Sequence, residues 1–207
     1  MRALRYVLLG DGGRDAALLP VIHWTLRDAM PEIAVEEPIF RKRRGAIDTA
    51  MSEAIDRYGP DILFVHRDSE RVPLAARRAE IPDAGGRIVR VVPVRMTEAW
   101  LLTDEAAIRR AAGNPNGRQP LDLPRLERLE DVPDPKRLLA AALLAASGFS
   151  GGRRRKQFQR DEAAGAGRVA SFVASFAELR RLSAFRAFED ELRVHLADWS
   201  GSLEGRV

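Results

Sequence analysis

Cysteine is absent from the 207 residues, which excludes disulfide frameworks, zinc ribbons and thiol nucleophiles. Histidine is scarce: His23, His66 and His195 are the only three, with no H-E-x-x-H or comparable pair. A histidine-rich metal site is therefore not expected, and any divalent ion would be held by carboxylates, which suit Mg²⁺ or Mn²⁺. Long apolar runs are missing too. The opening MRALRYVLLG meets GDGG too early for a signal sequence, and no segment approaches the span of a membrane helix. A soluble, cytoplasmic protein without a membrane partner is the expectation. Lysine is almost absent: Lys42, Lys136 and Lys156 are the only three among 34 basic residues. Arginine does not replace a compact ammonium everywhere, so each surviving lysine draws attention. Charge of one sign is not in large excess, since 30 acids leave a net +4. The arginine skew reads as a compositional bias shared with alanine, not as a signature of nucleic-acid affinity.

What is present is an alternating pattern. ALRYVLL (3–9) is a short apolar run ending at glycine, the mark of a buried strand. GDGGRD follows, then AALLPVIHWTLRDAM with helical spacing, Pro20 marking a kink or a late start. AVEEPIF (34–40) predicts a weak edge strand. GAIDTAMSEAIDRY (45–58) places Ile47, Met51, Ala54, Ile55 and Tyr58 on one helical face, and Gly59-Pro60 ends it. DILFV (61–65) is the clearest strand, followed at once by HRDSE. RIVRVVPV (87–94) predicts another strand, and TEAWLLTDEAAIRRAA (97–112) a helix capped by Thr97. This rhythm predicts an α/β domain over 1–112, with a mostly parallel four-stranded sheet covered on both faces. After the turn-rich GNPNGRQPLDLP, residues 113–207 predict a helical C-terminal extension, with helices over 134–147, 167–182 and 184–199.

Three strand ends in this reading run into acids. The first meets Asp11 and Asp15, the third Asp68 and Glu70, and the fourth, after PVRM, Glu98. Ligands of open α/β sheets collect beyond the carboxyl ends of the strands, so these five carboxylates would converge. Asp68 and Glu70, two apart on an extended segment, would point the same way. Such crowding needs a cation, and oxygen-only ligands favour Mg²⁺ or Mn²⁺. Each piece has a plainer reading: Asp11 and Asp15 as turn and cap, Asp68-Ser69-Glu70 as a helix start, Glu98 as a first-turn glutamate. GDGGRD lacks the third glycine of a dinucleotide loop and the GK[ST] of a P-loop. The runs Arg41-Lys42-Arg43-Arg44 and Arg153-Arg154-Arg155-Lys156 are weighed against solvated basic surface. Trp100 and the pair Phe172/Phe176 read as core, and His66 as structural.

The order of these motifs resembles the Toprim fold of topoisomerases, primases, RecR-type repair proteins and OLD-family nucleases. More narrowly, Asp11-Gly-Gly-Arg-Asp15, ILFVHRDSE and RMTEAWLLTD, with the later DPK and the Lys156-x-Phe158 stretch, resemble a Toprim-like family of prokaryotic proteins. Members are often encoded beside an ATPase in defence-type clusters. The first acid here is Asp11, one methylene shorter than the glutamate usual in Toprim, and the second element is DSE instead of DxD. The resemblance implies metal-assisted phosphodiester hydrolysis of DNA or RNA, with defence against phage or plasmid and a partner ATPase. Asp68 and Glu70 would hold the metal, with Asp11, Asp15 and Glu98 completing one or two sites and Asp11 and Glu98 also serving catalysis. Lys156 would neutralise the transition state, while Arg153, Arg154, Arg155 and Lys136 would contact the nucleic acid. A non-catalytic metal-binding subunit of an ATPase complex and a phosphohydrolase acting on a small phosphorylated molecule are the alternatives. The oligomeric state stays open, a homo-oligomer included.

Overall fold

The structure is a computed structural model and describes residues 2–83, 87–160 and 164–204. Four strands form one all-parallel sheet: β1 (Tyr6–Gly10), β2 (Ile39–Lys42), β3 (Ile62–His66) and β4 (Ile88–Val91), in the order β2-β1-β3-β4. Both central strands are buried along their whole length, as their uninterrupted apolar sequences require in a sheet covered on two faces. β2, the proline-preceded segment, lies at an edge, shorter and later than its sequence suggests.

Alternation along the strands sorts the core into two layers. Val7, Leu9, Leu63 and Val65 face one side, where Ala50, Met51 and Ala54 of α2 (Ile47–Tyr58) cover them. Gly59 ends that helix in the left-handed conformation (φ 51°), which glycine adopts without a steric penalty. Tyr6, Leu8, Phe64, Val89 and Val91 face the other side, against a larger cluster that includes residues of α1 (Leu19–Ala29). Pro20 sits in the first turn of α1, after a 3₁₀ segment over Gly13–Leu18. It starts the helix where its missing N–H costs nothing.

The same cluster takes in side chains from residues 113–207. The α-helices among the described residues are completed by α3 (Leu74–Ala79) and α4 (Glu105–Ala111) and, within 113–207, by α5 (Pro135–Ser147), α6 (Gly152–Arg160), α7 (Gly165–Phe172) and α8 (Ser183–Glu204). Aromatic rings connect sheet and C-terminal helix in a continuous series. Tyr6 meets Phe64 at 5.3 Å, Phe64 meets Phe188 at 6.2 Å, and Phe188 packs on Phe185 and Trp100 at 5.6 and 5.9 Å. Burying each such side chain stabilises the fold by about 1.5–3 kcal/mol. Glu191 of α8 adds a polar clamp on β4, accepting from the backbone N–H of Arg90 (2.8 Å) and from the Arg78 guanidinium (2.9 Å).

Two helix expectations are corrected. The 97–112 helix is a 3₁₀ turn over Thr97–Leu101 followed by α4, whose N-cap is Asp104, accepting from the Ala107 N–H at 2.9 Å. The 167–182 helix ends at Phe172, because Val173 turns extended; Phe176 is buried beside Trp24 while Phe172 is 42% exposed. The basic stretch at 153–156 is helical, within α6. No helix among the described residues is long and apolar enough to cross a membrane.

Candidate functional site

At the carboxyl end of the sheet lies a cleft of about 480 Å³, lined by the loop after β1 (Asp11 to Asp15), by Asp68 after β3, and by Met96, Thr97 and Glu98 after β4. Lys136, in the first turn of α5, and Ala166 of α7 close its far side. Four of the five acids expected to converge therefore share one cavity.

Asp15 is the most constrained of them. It is buried, and its Oδ2 accepts from the Gly12 N–H at 2.7 Å. The close approach depends on Gly10: a β-carbon there would stand 2.8 Å from both Cβ and Oδ2 of Asp15. Burial raises the Asp15 carboxyl above its ordinary range, partly offset by His66 and Gly12. Asp68 is fixed through Oδ1, which accepts from the Thr97 N–H at 2.8 Å. Thr97, expected to cap a helix, instead ties the loops after β3 and β4 together.

His66 lies between the two aspartates. Its Nδ1 donates to the Val91 carbonyl at 3.0 Å, and its Nε2 stands 3.4 Å from Asp68 and 3.7 Å from Asp15. With Nδ1 committed to Val91, Nε2 is the ring atom that faces the two carboxylates. Burial alone would lower its pKa; the hydrogen bond and charge of Asp68, with the charge of Asp15, outweigh burial and raise it. The histidine is thus structural in position and electrostatic in effect. Glu98 is also buried, and its carboxyl is raised first by burial and then by Asp68, against the pull of Lys136 and Arg14.

Asp11 and Glu70 behave differently. Asp11 Oδ1 accepts from Nε of Arg43 at 2.7 Å and pairs with its Nη2 at 2.6 Å; Oδ2 lies 3.7 Å from Arg67. Glu70 does not line the cleft. Its backbone is left-handed (φ 52°), held where its N–H donates to the Arg95 carbonyl at 2.9 Å. The extended alternation that would align Glu70 with Asp68 stops there. Its side chain is 69% exposed, 3.8 Å from Arg77.

The cations divide in the same way. Lys136 and Arg14 line the cleft, whereas Lys156 and Arg153 line a separate surface groove on α6 with Gln157 and Arg160. Arg154 and Arg155 are exposed on that helix. Sequence reasoning passed over Arg14, Arg43 and Arg67. Arg14 and Arg67 are flanked by acidic and glycine motifs that claim the attention, and Arg43 is one of a run whose members look alike.

Asp15, Asp68 and Glu98 present the oxygen donors that Mg²⁺ or Mn²⁺ takes. Among the described residues no three His, Asp or Glu side chains already stand close enough together to hold a metal ion. The donor chemistry fits, and binding would require these side chains to draw together. Comparison with protein-family models, curated proteins and solved structures finds no match for this chain.

Proposed function

We propose that the chain is a Toprim-like, Mg²⁺- or Mn²⁺-dependent nuclease that hydrolyses phosphodiester bonds in DNA or RNA. The observation that carries this reading is the gathering of Asp11, Asp15, Asp68 and Glu98 from three loops into one cleft with Arg14 and Lys136. Carboxylates alone would repel a phosphate, and cations alone would bind it without a place for a metal. Their combination at the carboxyl end of a parallel sheet suits metal-assisted phosphoryl chemistry.

In this reading Asp15, Asp68 and Glu98 hold the ion, which would withdraw charge from the scissile phosphate and activate water. Gly12 and Thr97 orient two of these ligands through their backbone N–H groups, the kind of support on which ligand geometry depends. Arg43 restrains Asp11, the shorter acid in the place of the usual glutamate, at the rim. Lys136 and Arg14 offer positive charge to the phosphate oxygens. A role in defence and a partner ATPase belong to this proposal through the resemblance alone.

The test is cleavage of supercoiled plasmid and of single-stranded RNA in Mn²⁺, Mg²⁺ or EDTA, with wild type beside Asp68→Ala. Metal-dependent cutting that falls by about 100-fold or more in the variant is expected, a ligand weighing at least as much as its supporting shell. Mn²⁺ should also raise the thermal midpoint of wild type and not of an Asp15→Ala/Asp68→Ala variant, since an ion that binds only the folded state stabilises it. A midpoint that responds to metal without any cutting would favour the non-catalytic subunit. No response and no cutting would overturn the metal reading.

A further inference from the structure

The run Arg41-Lys42-Arg43-Arg44, which composition marks as ordinary basic surface, forms one wall of a second groove of about 480 Å³. The floor is Leu9, Ala50 and Ala54, from the apolar packing of α2 on the sheet. The opposite wall is Glu53, Arg57 and Tyr58 of α2. Five cations thus face the single carboxylate of Glu53. The guanidinium carbons of Arg41 and Arg57 lie 4.9 and 5.5 Å from the centre of the Tyr58 ring, and such cation–π contacts hold both arginines along the groove. Arg41, Lys42, Arg44 and Arg57 are exposed. Among the described residues, Arg43 is the one member of the five that forms an ion pair, and its partner is Asp11 of the acidic cleft.

Charged residues on an edge strand can serve simply to block pairing with another chain. Here that duty falls to a four-residue strand that already carries Arg41 and Lys42. Arg43, Arg44 and Arg57 lie off the strand and still contribute to the same groove. The charges of Arg44 and Arg57 are also left uncompensated: Glu53, one helical turn before Arg57, makes no ion pair with it. Uncompensated cations around a groove suit an anion, and cations spread over both walls suit an extended one better than a single phosphate. The groove and the cleft adjoin through Arg43, whose Nη2 is 2.6 Å from Asp11.

We propose that the groove between β2 and α2 binds the sugar–phosphate backbone of a polynucleotide and leads it past Arg43 to the acid-lined cleft. The destination rests on the nuclease reading above, whereas the groove's affinity does not. The test is therefore binding in EDTA, where no metal-dependent cutting occurs. Fluorescence anisotropy of labelled single-stranded DNA, duplex DNA and RNA would be followed over rising salt. The comparison is between wild type, Lys42→Gln/Arg44→Gln/Arg57→Gln and Arg153→Gln/Arg154→Gln/Arg155→Gln.

The groove variant should bind its preferred nucleic acid at least about tenfold more weakly, with the log–log salt slope smaller by about 2–3, because three phosphate contacts are removed. The preferred arm identifies the source of the backbone. Wild-type affinity and slope in the groove variant would overturn the proposal, as would a loss confined to the α6 variant, or no binding of any of the three by wild type. Tripolyphosphate competing as well as an oligonucleotide at equal phosphate would also overturn it. Should the triple variant unfold, Arg44→Gln and Arg57→Gln singly carry the same test, each expected to weaken binding about two- to threefold with a slope smaller by about 0.7–0.9. Groove-dependent binding without cutting in metal would fail the nuclease reading alone; cutting with groove-independent binding would fail this inference alone.

Discussion

Two arginine-rich stretches, 41–44 and 153–156, are nearly interchangeable as sequence, and the fold uses them differently. The first leaves the edge strand at the carboxyl end of the sheet. The Arg43 N–H donates to the Gly10 carbonyl at 2.6 Å, which brings its guanidinium onto Asp11. The second is carried on α6, where its residues are exposed and Arg153 and Lys156 line a groove apart from the acids. Lys136 and Lys156 repeat the contrast: one faces Glu98 across the cleft, the other does not line it. Charge composition says how many cations a chain has. Strand pairing, for Arg43, and helix packing, for Lys136, decide which of them stand beside the carboxylates.

Substitutions can break that contrast. On the nuclease reading proposed above, the largest effect is expected from Lys136→Ala, which should lower the metal-dependent cleavage rate by about 100-fold, the scale on which a single charge-stabilising donor acts. Lys156→Ala should change the rate at saturating substrate much less. An equal loss at Lys156 would bring α6 back to the chemistry, as the Toprim resemblance implies. Next in size, Arg43→Ala should slow cleavage by about tenfold by freeing Asp11, a supporting-shell effect, while Arg154→Ala leaves the rate unchanged in single-turnover assays.

Stability should follow the same division on a smaller scale. Urea unfolding should show Arg43→Ala costing about 1 kcal/mol, for a partly buried hydrogen-bonded pair. Arg154→Ala should stay within about 0.5 kcal/mol, as exposed positions do.

The smallest effect is the pH dependence of the metal-free fold. Asp15 and Glu98 are raised by burial, so the folded state binds their protons more tightly than the unfolded chain does. His66 is raised as well, by Asp68 and Asp15 acting against burial. Its contribution is full below the unfolded histidine pKa and is lost as pH rises through the folded one. All three shifts have one sign: stability falls as pH climbs through their raised ranges. The thermal midpoint of the apoprotein should decline from mildly acidic to alkaline pH, and Glu98→Gln should flatten the acidic part of that decline.

The regular elements were largely legible. β1 and β3 announce themselves as apolar runs bounded by glycine and charge, and α2 by its periodicity and its Gly59-Pro60 stop. The helix at Pro135–Ser147 lies within one residue of the expected start. The failures occur where local pattern and packing compete. Thr97 looks like a cap, yet its N–H is drawn to Asp68, 29 residues earlier. Phe172 and Phe176 share helical spacing, but Val173 breaks the helix and only Phe176 enters the core.

By itself, then, the sequence determined the alternating strand–helix order, the absence of thiol and histidine-cluster chemistry, and the placing of acids just past strand ends. These are properties of spacing and side-chain type, read within a few residues. Tertiary structure decided which acids meet. Asp15 is drawn in because Gly10 leaves room for it, Glu70 is turned out by a left-handed backbone tied to Arg95, and Asp11 is paired with an arginine 32 residues away. Those outcomes depend on strand order, register and burial, which bring together groups that local sequence keeps far apart.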